Sequence, residues 1–484
     1  MVDKHTSFVG LVRIGAVLVL ALLSAGTEAA TYYVSPDGNN ANPGTEELPW
    51  KTIQKAANTL NAGDTALIKD GTYKELVTVT RSGITLESCP GQTPVIDANG
   101  LAGGSGILVV RDCNNIRISG LHVSNATSLH TSGIWTWNVD GIAIEKCHVY
   151  NTASSGMKIN ESRNVAIQNN EVEAACQNGG EEDISIKLHS DGILVGYNEI
   201  HHGNHEGIDI KEGARNVQVI GNYIHHIERQ GLYADAWDQP TYNIEFNGNI
   251  IHDCDFGMGA CSEMGGLLSN VRFVNNLVYD CNGPGMFCKD WGSTTTPHPI
   301  QDVYYVNNTV YNCAWGWGAG MDIGNYDANN VVVRNNILSQ CGIVIRVNRE
   351  PISKIIEKNL TENAAGLDPN WCIVGQPRFV NPAVGDFRLL GDSDAINAGL
   401  PADAPQFDLD GKLRPQGIAI DIGAYEHPSG DIDDNGFVDF VDFVILAGQW
   451  RQTPGAPSAD ITPEGGNGVV DLLDLDKLVE CWPK

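Results

Sequence analysis

The chain has 484 residues, of which 42% are hydrophobic and 18% charged, and its formal net charge at neutral pH is −29. So acidic a protein is excluded as a nucleic-acid binder, because its carboxylates repel phosphates, and it would need metal ions to hold a polyanionic sugar. The charge is unchanged without residues 1–29, which hold two basic and two acidic residues.

Residues 1–29 are predicted to be a secretory signal peptide. Lys4 and Arg13 precede an apolar stretch from Ile14 to Leu23, and small residues follow up to Ala29. This order of basic, apolar and small residues is typical of a segment that is removed on export. No later stretch is long and apolar enough to span a bilayer. We therefore expect a secreted, extracellular and monomeric protein.

Residues 30–80 are predicted to cap the fold that follows. The phrase PWKTIQKAANTL places four small or apolar residues at helical spacing, namely Ile53, Ala56, Ala57 and Leu60. A short amphipathic helix with that face would cover the open end of a repetitive β structure, which otherwise exposes core and strand edges.

A recurring asparagine phrase organises residues 81–427. An Asn stands two residues before an aliphatic residue at Asn170, Asn198, Asn222, Asn249, Asn276, Asn308 and Asn336, with spacings of 24 to 32 residues. The intervening runs, such as NVQVIG and NVRFVN, alternate apolar and polar residues as strands do. Short strands repeated without room for helices predict an all-β parallel β-helix, a solenoid of stacked coils. Asparagine suits the turns because it tolerates left-handed backbone and can form amide ladders.

Cysteines also follow the repeat. Twelve cysteines in an exported chain would ordinarily indicate disulfides. Four of them, however, fall three residues after the aliphatic residue of the repeat: Cys254, Cys281, Cys313 and Cys341. Because no zinc-type Cys or His spacing accompanies them, we interpret this column as packing.

A second strand in each coil usually begins with glycine, and its second and fourth following residues are predicted to face solvent. Aligned coils then place Lys187, Lys211 and Asp235 in one column, with Asp209 beside Lys211. Adjacent lysines lower each other's affinity for protons, which the two aspartates partly restore. A lysine tuned in this way can act as a base near neutral pH.

Aromatic and charged residues flank this column. Rings beside carboxylates suit sugars, which present apolar faces and hydroxyl edges. The predicted substrate-binding residues are Trp135, Tyr233, Trp237, Lys289 and Trp291. The alternative interpretation is that such columns are ordinary solvated surface. The histidines of the HHGNH turn are interpreted as part of the repeat phrase rather than as a metal site.

Residues 428–430 look like a linker, and residues 431–484 form a different unit. Two loop-helix copies end at Trp450 and Trp482. Oxygen ligands at alternating positions, with a glycine at the sharp turn, are what a calcium loop requires. The predicted metal ligands are Asp431, Asp433, Asn435 and Asp442 in the first loop, and Asp460, Asn467 and Asp474 in the second, whose front half is three residues longer.

This pair of loops resembles a type I dockerin domain, the small α-helical module that attaches bacterial carbohydrate-active enzymes to cohesin scaffolds. The resemblance implies bound Ca²⁺, a cohesin-like partner and association with a cell surface or a multi-protein complex.

The phrases TYYVSPDGNNANPGTEELPWKTIQKAA and DGTYKE resemble the N-terminal cap of secreted right-handed parallel β-helix enzymes, the pectate-lyase-like superfamily of polysaccharide lyases and glycoside hydrolases. The Asp-bearing strand of its pectate lyases looks like Gly207-Ile-Asp209-Ile, and the Lys-bearing strand looks like Gly156-Met-Lys158-Ile, in reversed order. The resemblance implies a polysaccharide substrate and calcium in the active site.

Three functions are compatible with these residues and resemblances. In β-elimination, Lys211 or Lys187 removes a proton next to a uronate carboxylate, while Ca²⁺ on Asp209 and Asp235 neutralises that carboxylate. In hydrolysis, two carboxyl groups among Asp209, Asp235 and Glu263 act as acid and as base or nucleophile. The third function is non-catalytic binding of glycans at a cell surface.

Overall fold

The computed structural model describes residues 29–482 except residues 179, 292–296, 434 and 463–465. The predicted signal peptide therefore lies outside the described residues, apart from its last residue. No helix in the described part of the chain is both long and apolar enough to cross a membrane.

The secondary-structure elements alternate short strands with tight turns. The elements of the first six coils are β1 (Thr31–Val34), α1 (Ile53–Thr59), β2 (Thr65–Ile68), β3 (Thr72–Tyr73), β4 (Val77–Val79), β5 (Thr85–Ser88), β6 (Val95–Asp97), β7 (Gly106–Ser119), β8 (His122–Ala126), β9 (Ser132–Glu145), β10 (His148–Thr152), β11 (Met157–Asn160), β12 (Arg163–Gln168), β13 (Glu171–Glu173), β14 (Ile184–Lys187), β15 (Asp191–Gly196) and β16 (Glu199–His201). The remaining elements are β17 (Ile208–Lys211), β18 (Arg215–Ile220), β19 (Tyr223–His225), β20 (Gln230–Asp235), β21 (Thr241–Asn247), β22 (Ile250–His252), β23 (Phe256–Cys261), β24 (Leu268–Val274), β25 (Leu277–Tyr279), β26 (Met286–Lys289), β27 (Ile300–Val306), β28 (Thr309–Tyr311), β29 (Met321–Gly324), β30 (Ala328–Arg334), β31 (Ile337–Ser339), β32 (Ile345–Arg349), β33 (Lys354–Glu357), β34 (Asn359–Thr361), β35 (Cys372–Val374), β36 (Phe379–Asn381), a 3-10 helix (Pro382–Val384), β37 (Asp386–Leu389), α2 (Phe440–Gly448) and α3 (Leu472–Cys481).

These strands form a parallel β-helix of about 10 coils, as the repeat predicts. A complete coil contributes one strand to each of three faces, and incomplete coils at the ends add further strands. Face 1 contains β11, β14, β17, β20, β23, β26, β29 and β32, and face 2 contains β12, β15, β18, β21, β24, β27, β30 and β33. The long strands β7 and β9 run through both faces and join them into one hydrogen-bonded sheet of 22 strands. Face 3 is a separate sheet of 13 strands that includes β10, β13 and β16.

The repeated asparagines form a buried amide ladder. The backbone N–H and the Nδ2 of each ladder asparagine donate to Oδ1 of the next, at 2.9 to 3.0 Å, from Asn170 to Asn359. Left-handed backbone, however, belongs to the preceding residue, such as Asn169 or Tyr197. The asparagine side chain therefore forms the ladder, while the residue before it adopts the left-handed backbone of the turn.

The N-terminal cap contains the predicted helix. α1 begins after Thr52, whose side chain caps it by accepting from the N–H of Lys55, and it buries Ile53, Ala56 and Ala57. The parallel pairing of strands already starts with β1 and β2, inside the region predicted as cap. The boundary at residue 80 thus falls within the solenoid.

The segment after β35 leaves the regular stack of coils. It runs back along the turn between faces 2 and 3, where Nδ2 of Asn275 donates to the carbonyl of Phe407 and Nδ2 of Asn307 to that of Asp421. A buried ion pair between Arg414 and Glu426, at 2.6 Å, anchors it. The turn is polar enough to bind this segment because its asparagine side chains carry amide groups that can donate outwards.

The C-terminal residues pack around a small core of their own. Six residues form it, namely Ile432, Val438, Leu446, Ala459, Val470 and Leu478. The predicted linker is not exposed, because Pro428 and Gly430 are buried next to this core. All twelve cysteines lie in the described residues, and all are free thiols, so the cysteine column is packing.

Candidate active site

The outward columns of face 1 have the predicted register. Ser185, Asp209 and Tyr233 are paired on successive strands, and Lys211 is paired with Asp235. Parallel strands lie about 4.8 Å apart, so these side chains are neighbours along the solenoid. The alignment of coils therefore locates the column correctly.

The column is not exposed, which corrects the sequence-based expectation. Asp209 and Asp235 are each 2% exposed, Lys187 is 8% exposed, and Lys211 is half-buried. The turns that precede the face 1 strands fold over them and bring Glu182 and Glu206 to the site, both of which are buried. The result is a cluster of buried carboxylates on face 1, at the predicted substrate groove.

Lys211 stands between two of these carboxylates. Its Nζ contacts Glu182 Oε1 closely and lies 3.4 Å from Asp209 Oδ2. Burial alone would lower the pKa of Lys211, but Glu182 and Asp209 raise it above its ordinary value. The sequence predicts that Lys187 lowers the pKa of Lys211. This prediction is wrong, because the carboxylates around Lys211 together raise its pKa by more than burial lowers it.

Lys187 instead pairs with acidic residues of other turns. Its Nζ lies 2.8 Å from Glu181 Oε2 and 3.8 Å from Glu212 Oε1, and Lys158 contacts the other oxygen of Glu181 at 2.9 Å. Burial would raise the pKa of Glu181, but the two ammonium groups lower it to about 2. Glu181 is thus a fixed anion between Lys158 and Lys187.

Several buried oxygens of the groove have no hydrogen-bond partner in the described structure. They are Glu182 Oε2, Ser185 Oγ, Asp209 Oδ1 and Gln230 Oε1. Orphaned buried oxygens are costly, and they suit a hard cation, which Ca²⁺ is. The residues therefore fit calcium, with Glu182 rather than Asp235 next to Asp209.

Asp235 has a different environment. Its Oδ1 accepts the N–H groups of Trp237 at 2.9 Å and Glu263 at 3.0 Å. Burial, and next the charge of Glu263, raise the pKa of Asp235 to about 7. The Tyr233 hydroxyl donates to Glu263 Oε1 at 2.6 Å, and this hydrogen bond holds the Glu263 carboxylate in place. Asp235 can therefore hold or release a proton near neutral pH.

The predicted substrate-binding residues differ in access. Trp237 is 37% exposed at the groove, whereas Tyr233 is buried against Phe287 and Trp291 and offers no free ring face. Lys289 is also buried and contacts Asp322 at 2.7 Å; burial lowers its pKa. These two buried residues shape the groove, and Trp237 borders it.

Trp135 and Trp291 lie on opposite sides of this acidic stretch. Trp135 is paired with Lys158 on the next strand and packs near Trp137, with ring centroids 5.7 Å apart. Trp291 is partly exposed and packs on Phe287, with ring centroids 4.6 Å apart. Aromatic rings therefore flank the carboxylates along the axis of the solenoid.

Sequence reasoning missed Glu182 and Glu206. Glu206 directly precedes Gly207, the aligned glycine of its coil, and Glu182 directly precedes Asp183, which takes the place of that glycine one coil earlier. Both glutamates lie at the end of the turn that folds over the face 1 strands. The signal was available, because the position is polar in four successive coils, with Ser155, Glu182, Glu206 and Gln230.

The two C-terminal loops have similar internal geometry. Asp442 Oδ1 accepts the N–H groups of Ile432 and Asp433, and Asp474 Oδ1 accepts those of Ile461 and Thr462. Asp460 accepts from Asn467 and Gly468 as Asp431 does from Asn435 and Gly436. The described ends of the two loops are thus equivalent. Ligand oxygens of Asp431, Asp433 and Asp442 lie within 4.8 Å of one another.

Comparisons with known proteins agree with this fold. A family model described as Pel9A-like, right handed beta helix region, matches residues 32–182, and one described as right handed beta helix region matches residues 177–337. The crystal structure of pectate lyase Pel9A superimposes with a TM-score of 0.52 and 16% sequence identity, covering 83% of this chain and 97% of that one. The right-handed parallel β-helix fold is therefore confirmed.

Two curated proteins are similar in sequence. The uncharacterized protein YwoF of Bacillus subtilis is 26% identical over 360 residues, which are 63% of this chain and 74% of YwoF. Pectate lyase PEL9 of Emericella nidulans is 35% identical over 95 residues, which are 18% of this chain and 23% of that enzyme.

Proposed function

We propose that this protein is a secreted enzyme that degrades a uronate-containing polysaccharide by calcium-assisted β-elimination. One observation carries the proposal: the Lys211 ammonium lies between two buried carboxylates, Glu182 and Asp209, each of which has an orphaned oxygen. A base and a cation site are the two groups that elimination next to a carboxylate requires. The similarity to two pectate lyases supports a polysaccharide substrate.

The chain's own groups have the following roles. Lys211 Nζ, as the neutral amine after it has released its own proton, takes the proton from the carbon next to the uronate carboxylate, and the electron pair forms a carbon–carbon double bond as the glycosidic oxygen leaves. Asp235, with a pKa of about 7, gives that oxygen a proton. Calcium on Glu182 and Asp209 would neutralise the uronate carboxylate and remove the negative charge that raises the pKa of Lys211. Trp237 offers an apolar surface to a sugar ring.

The alternative is hydrolysis at the same groove. The raised pKa of Asp235 favours hydrolysis, because a protonated Asp235 can act as general acid. The neighbouring Glu263 also favours it, because the hydrogen bond from Tyr233 holds its carboxylate where a base or nucleophile could act. Lys211 and the orphaned oxygens have no role in that mechanism, so we place it second. Non-catalytic glycan binding, the third function, needs neither group.

A panel of polysaccharides with and without a chelator tests the proposal. We expect uronate polymers to yield products with the ultraviolet absorbance of an unsaturated uronate, and chelation of calcium to abolish it. New reducing ends without that absorbance would instead establish hydrolysis. Binding of a glycan with no new reducing ends on any polymer would establish the non-catalytic function.

We also propose that residues 431–484 form a dockerin-like domain that binds Ca²⁺ and docks the secreted protein to a cohesin-like partner. The loops support it, because Asp431, Asp433 and Asp442 converge and α2 starts with a capping box on Asp439. Exposed apolar residues on both helices offer a docking surface, among them Phe440, Val444, Leu472 and Val479.

Asp442→Asn should remove one calcium site from the protein. Its carboxylate is buried at the last position of the first loop, so neutralising it should weaken that site by at least about tenfold. Isothermal titration of the full chain with CaCl₂ would show one tight site fewer. Asp476→Asn, on the exposed side of α3, is the matched control and should leave the count unchanged. An unaltered titration of Asp442→Asn would refute the first calcium loop.

A further inference from the structure

A second group of ligand-type side chains lies on face 3, away from the groove of face 1. Two histidines and two glutamates on β10, β13 and β16 meet at the surface, and we call them the face 3 cluster: His148, Glu171, Glu173 and His201. In the register of these strands His148 is paired with Glu171, and Glu173 with His201. Each of three successive coils therefore contributes at least one member.

The distances among His148, Glu171 and Glu173 suit ligands of one metal ion, and His201 contacts Glu171 beside them. His148 Nε2 lies 3.2 Å from Glu173 Oε2, and His201 Nε2 lies 3.3 Å from Glu171 Oε1. Ligands of a tetrahedral zinc site, with bonds of about 2.0 to 2.1 Å, lie about 3.3 Å apart. A charge-assisted hydrogen bond is shorter, at about 2.7 to 2.9 Å. The ligand atoms of His148, Glu171 and Glu173 all lie within 4.8 Å of one another.

The negative charges in and next to the face 3 cluster also favour binding of a cation. Glu171 and Glu173 point to the same side of β13, and Glu171 is paired directly with Glu199 on the next strand. Like charges opposite each other on neighbouring strands are destabilising, and no lysine or arginine is paired with these three carboxylates in the described structure. A divalent ion on Glu171 and Glu173 would neutralise two of them.

The remaining nitrogen of His201 is fixed by a neighbour. His201 Nδ1 lies 2.7 Å from His202 Nδ1, so one of the two rings donates to the other. When His201 donates, its Nε2 lone pair points at Glu171 and is available to a metal. Metal-binding histidines have their second nitrogen held in this way, which orients the ring.

We propose that the face 3 cluster is a binding site for a divalent transition-metal ion, Zn²⁺ by its chemistry, with His148, Glu171 and Glu173 as ligands and His201 next to the ligand Glu171. Imidazole together with carboxylate selects zinc over calcium and magnesium, which prefer oxygen ligands alone. The bound ion connects two successive coils of face 3, through β10 and β13, so it stabilises the solenoid and needs no part in catalysis.

Isothermal titration and thermal unfolding of the full chain test this site. The chain is first stripped of metal and then saturated with CaCl₂, so that oxygen-only sites are filled before ZnCl₂ is added. We expect one zinc site and a higher Tm with zinc. The double variant His148→Ala with Glu173→Gln should weaken zinc binding by at least about tenfold and lose the rise in Tm, since even removal of a supporting group costs about 10- to 100-fold.

His226→Ala is the matched control, because His226 belongs to the same histidine-rich surface but its ring contacts are with other histidines. It should bind zinc as the parent chain does. Glu171→Gln gives a second test should the double variant unfold without zinc. Zinc affinity that is unchanged in both cluster variants, or no stronger than magnesium affinity in the parent, would overturn the proposal.

Discussion

Lys211→Ala should lower kcat on a uronate polymer by about 10²- to 10⁴-fold, the usual contribution of a general base. The Lys211 Nζ lies between Glu182 and Asp209, where a substrate carboxylate would meet a cation shared with those residues. Removing the amine leaves the groove and its carboxylates in place, so KM should change much less than kcat. Initial rates followed by product absorbance, with KM and kcat fitted separately, give the measurement.

Lys158→Ala is the matched control for this experiment. Lys158 lies on the same face and pairs with Glu181 rather than with Asp209 or Glu182. We expect its kcat to stay within a few-fold of the parent. Full activity of Lys211→Ala would exclude Lys211 as the base. If Lys289→Ala were then inactive, the base would be Lys289, the lysine whose pKa burial lowers.

The register of the solenoid could be predicted from the sequence because it is periodic. Asn249 and its equivalents recur once per coil, and a buried ladder tolerates no slippage, so the columns that contain Asp209 and Asp235 could be placed from the alignment alone. The helix α1 was predictable for a similar reason, since its apolar spacing is local.

Burial of the site was not predictable in the same way. It depends on the turns before each face 1 strand, which vary in length and carry Glu182 and Glu206 over the groove. A turn follows no period, so its path is decided by tertiary contacts. The course of the segment after β35 was not predictable for the same reason: it lacks a repeat, and its course is set by Asn275 and Asn307, on coils far from it in sequence.

The face 3 cluster shows a further limit of sequence reasoning. His148 and His201 are separated by 53 residues, and only the register of β10, β13 and β16 brings them to one pair of glutamates. The HHGNH phrase by itself indicates only that histidines recur in a stacked column. Ring stacking of His201 on His225, with centroids 5.0 Å apart, accounts for that column.

The metal-free protein should lose stability as pH rises from about 4 to about 7. The pKa of Asp235 is near 3.8 without the fold and about 7 in it, so the folded state favours the protonated carboxyl. Its contribution is complete below about pH 4 and is lost as pH rises through 7, which costs on the order of 4 kcal/mol. Burial raises the pKa of Asp209 in the same direction. Calcium should reverse the loss, because it binds the ionised carboxylates of the folded state.

Urea unfolding in a chelating buffer at several pH values measures this dependence. Asp235→Asn should make it shallower, because an amide oxygen still accepts the N–H groups of Trp237 and Glu263 and carries no charge at any pH, while Asp209 keeps its own contribution. Asp238→Asn, at an exposed position of the same turn, should leave the dependence as it is. The opposite trend comes from Glu181, whose low pKa withdraws stability only as pH falls towards 2. Equal slopes for the parent and Asp235→Asn between about pH 4 and 7 would show that Asp235 ionises freely in the fold, and the acid assigned to the leaving oxygen would have to be sought elsewhere in the groove.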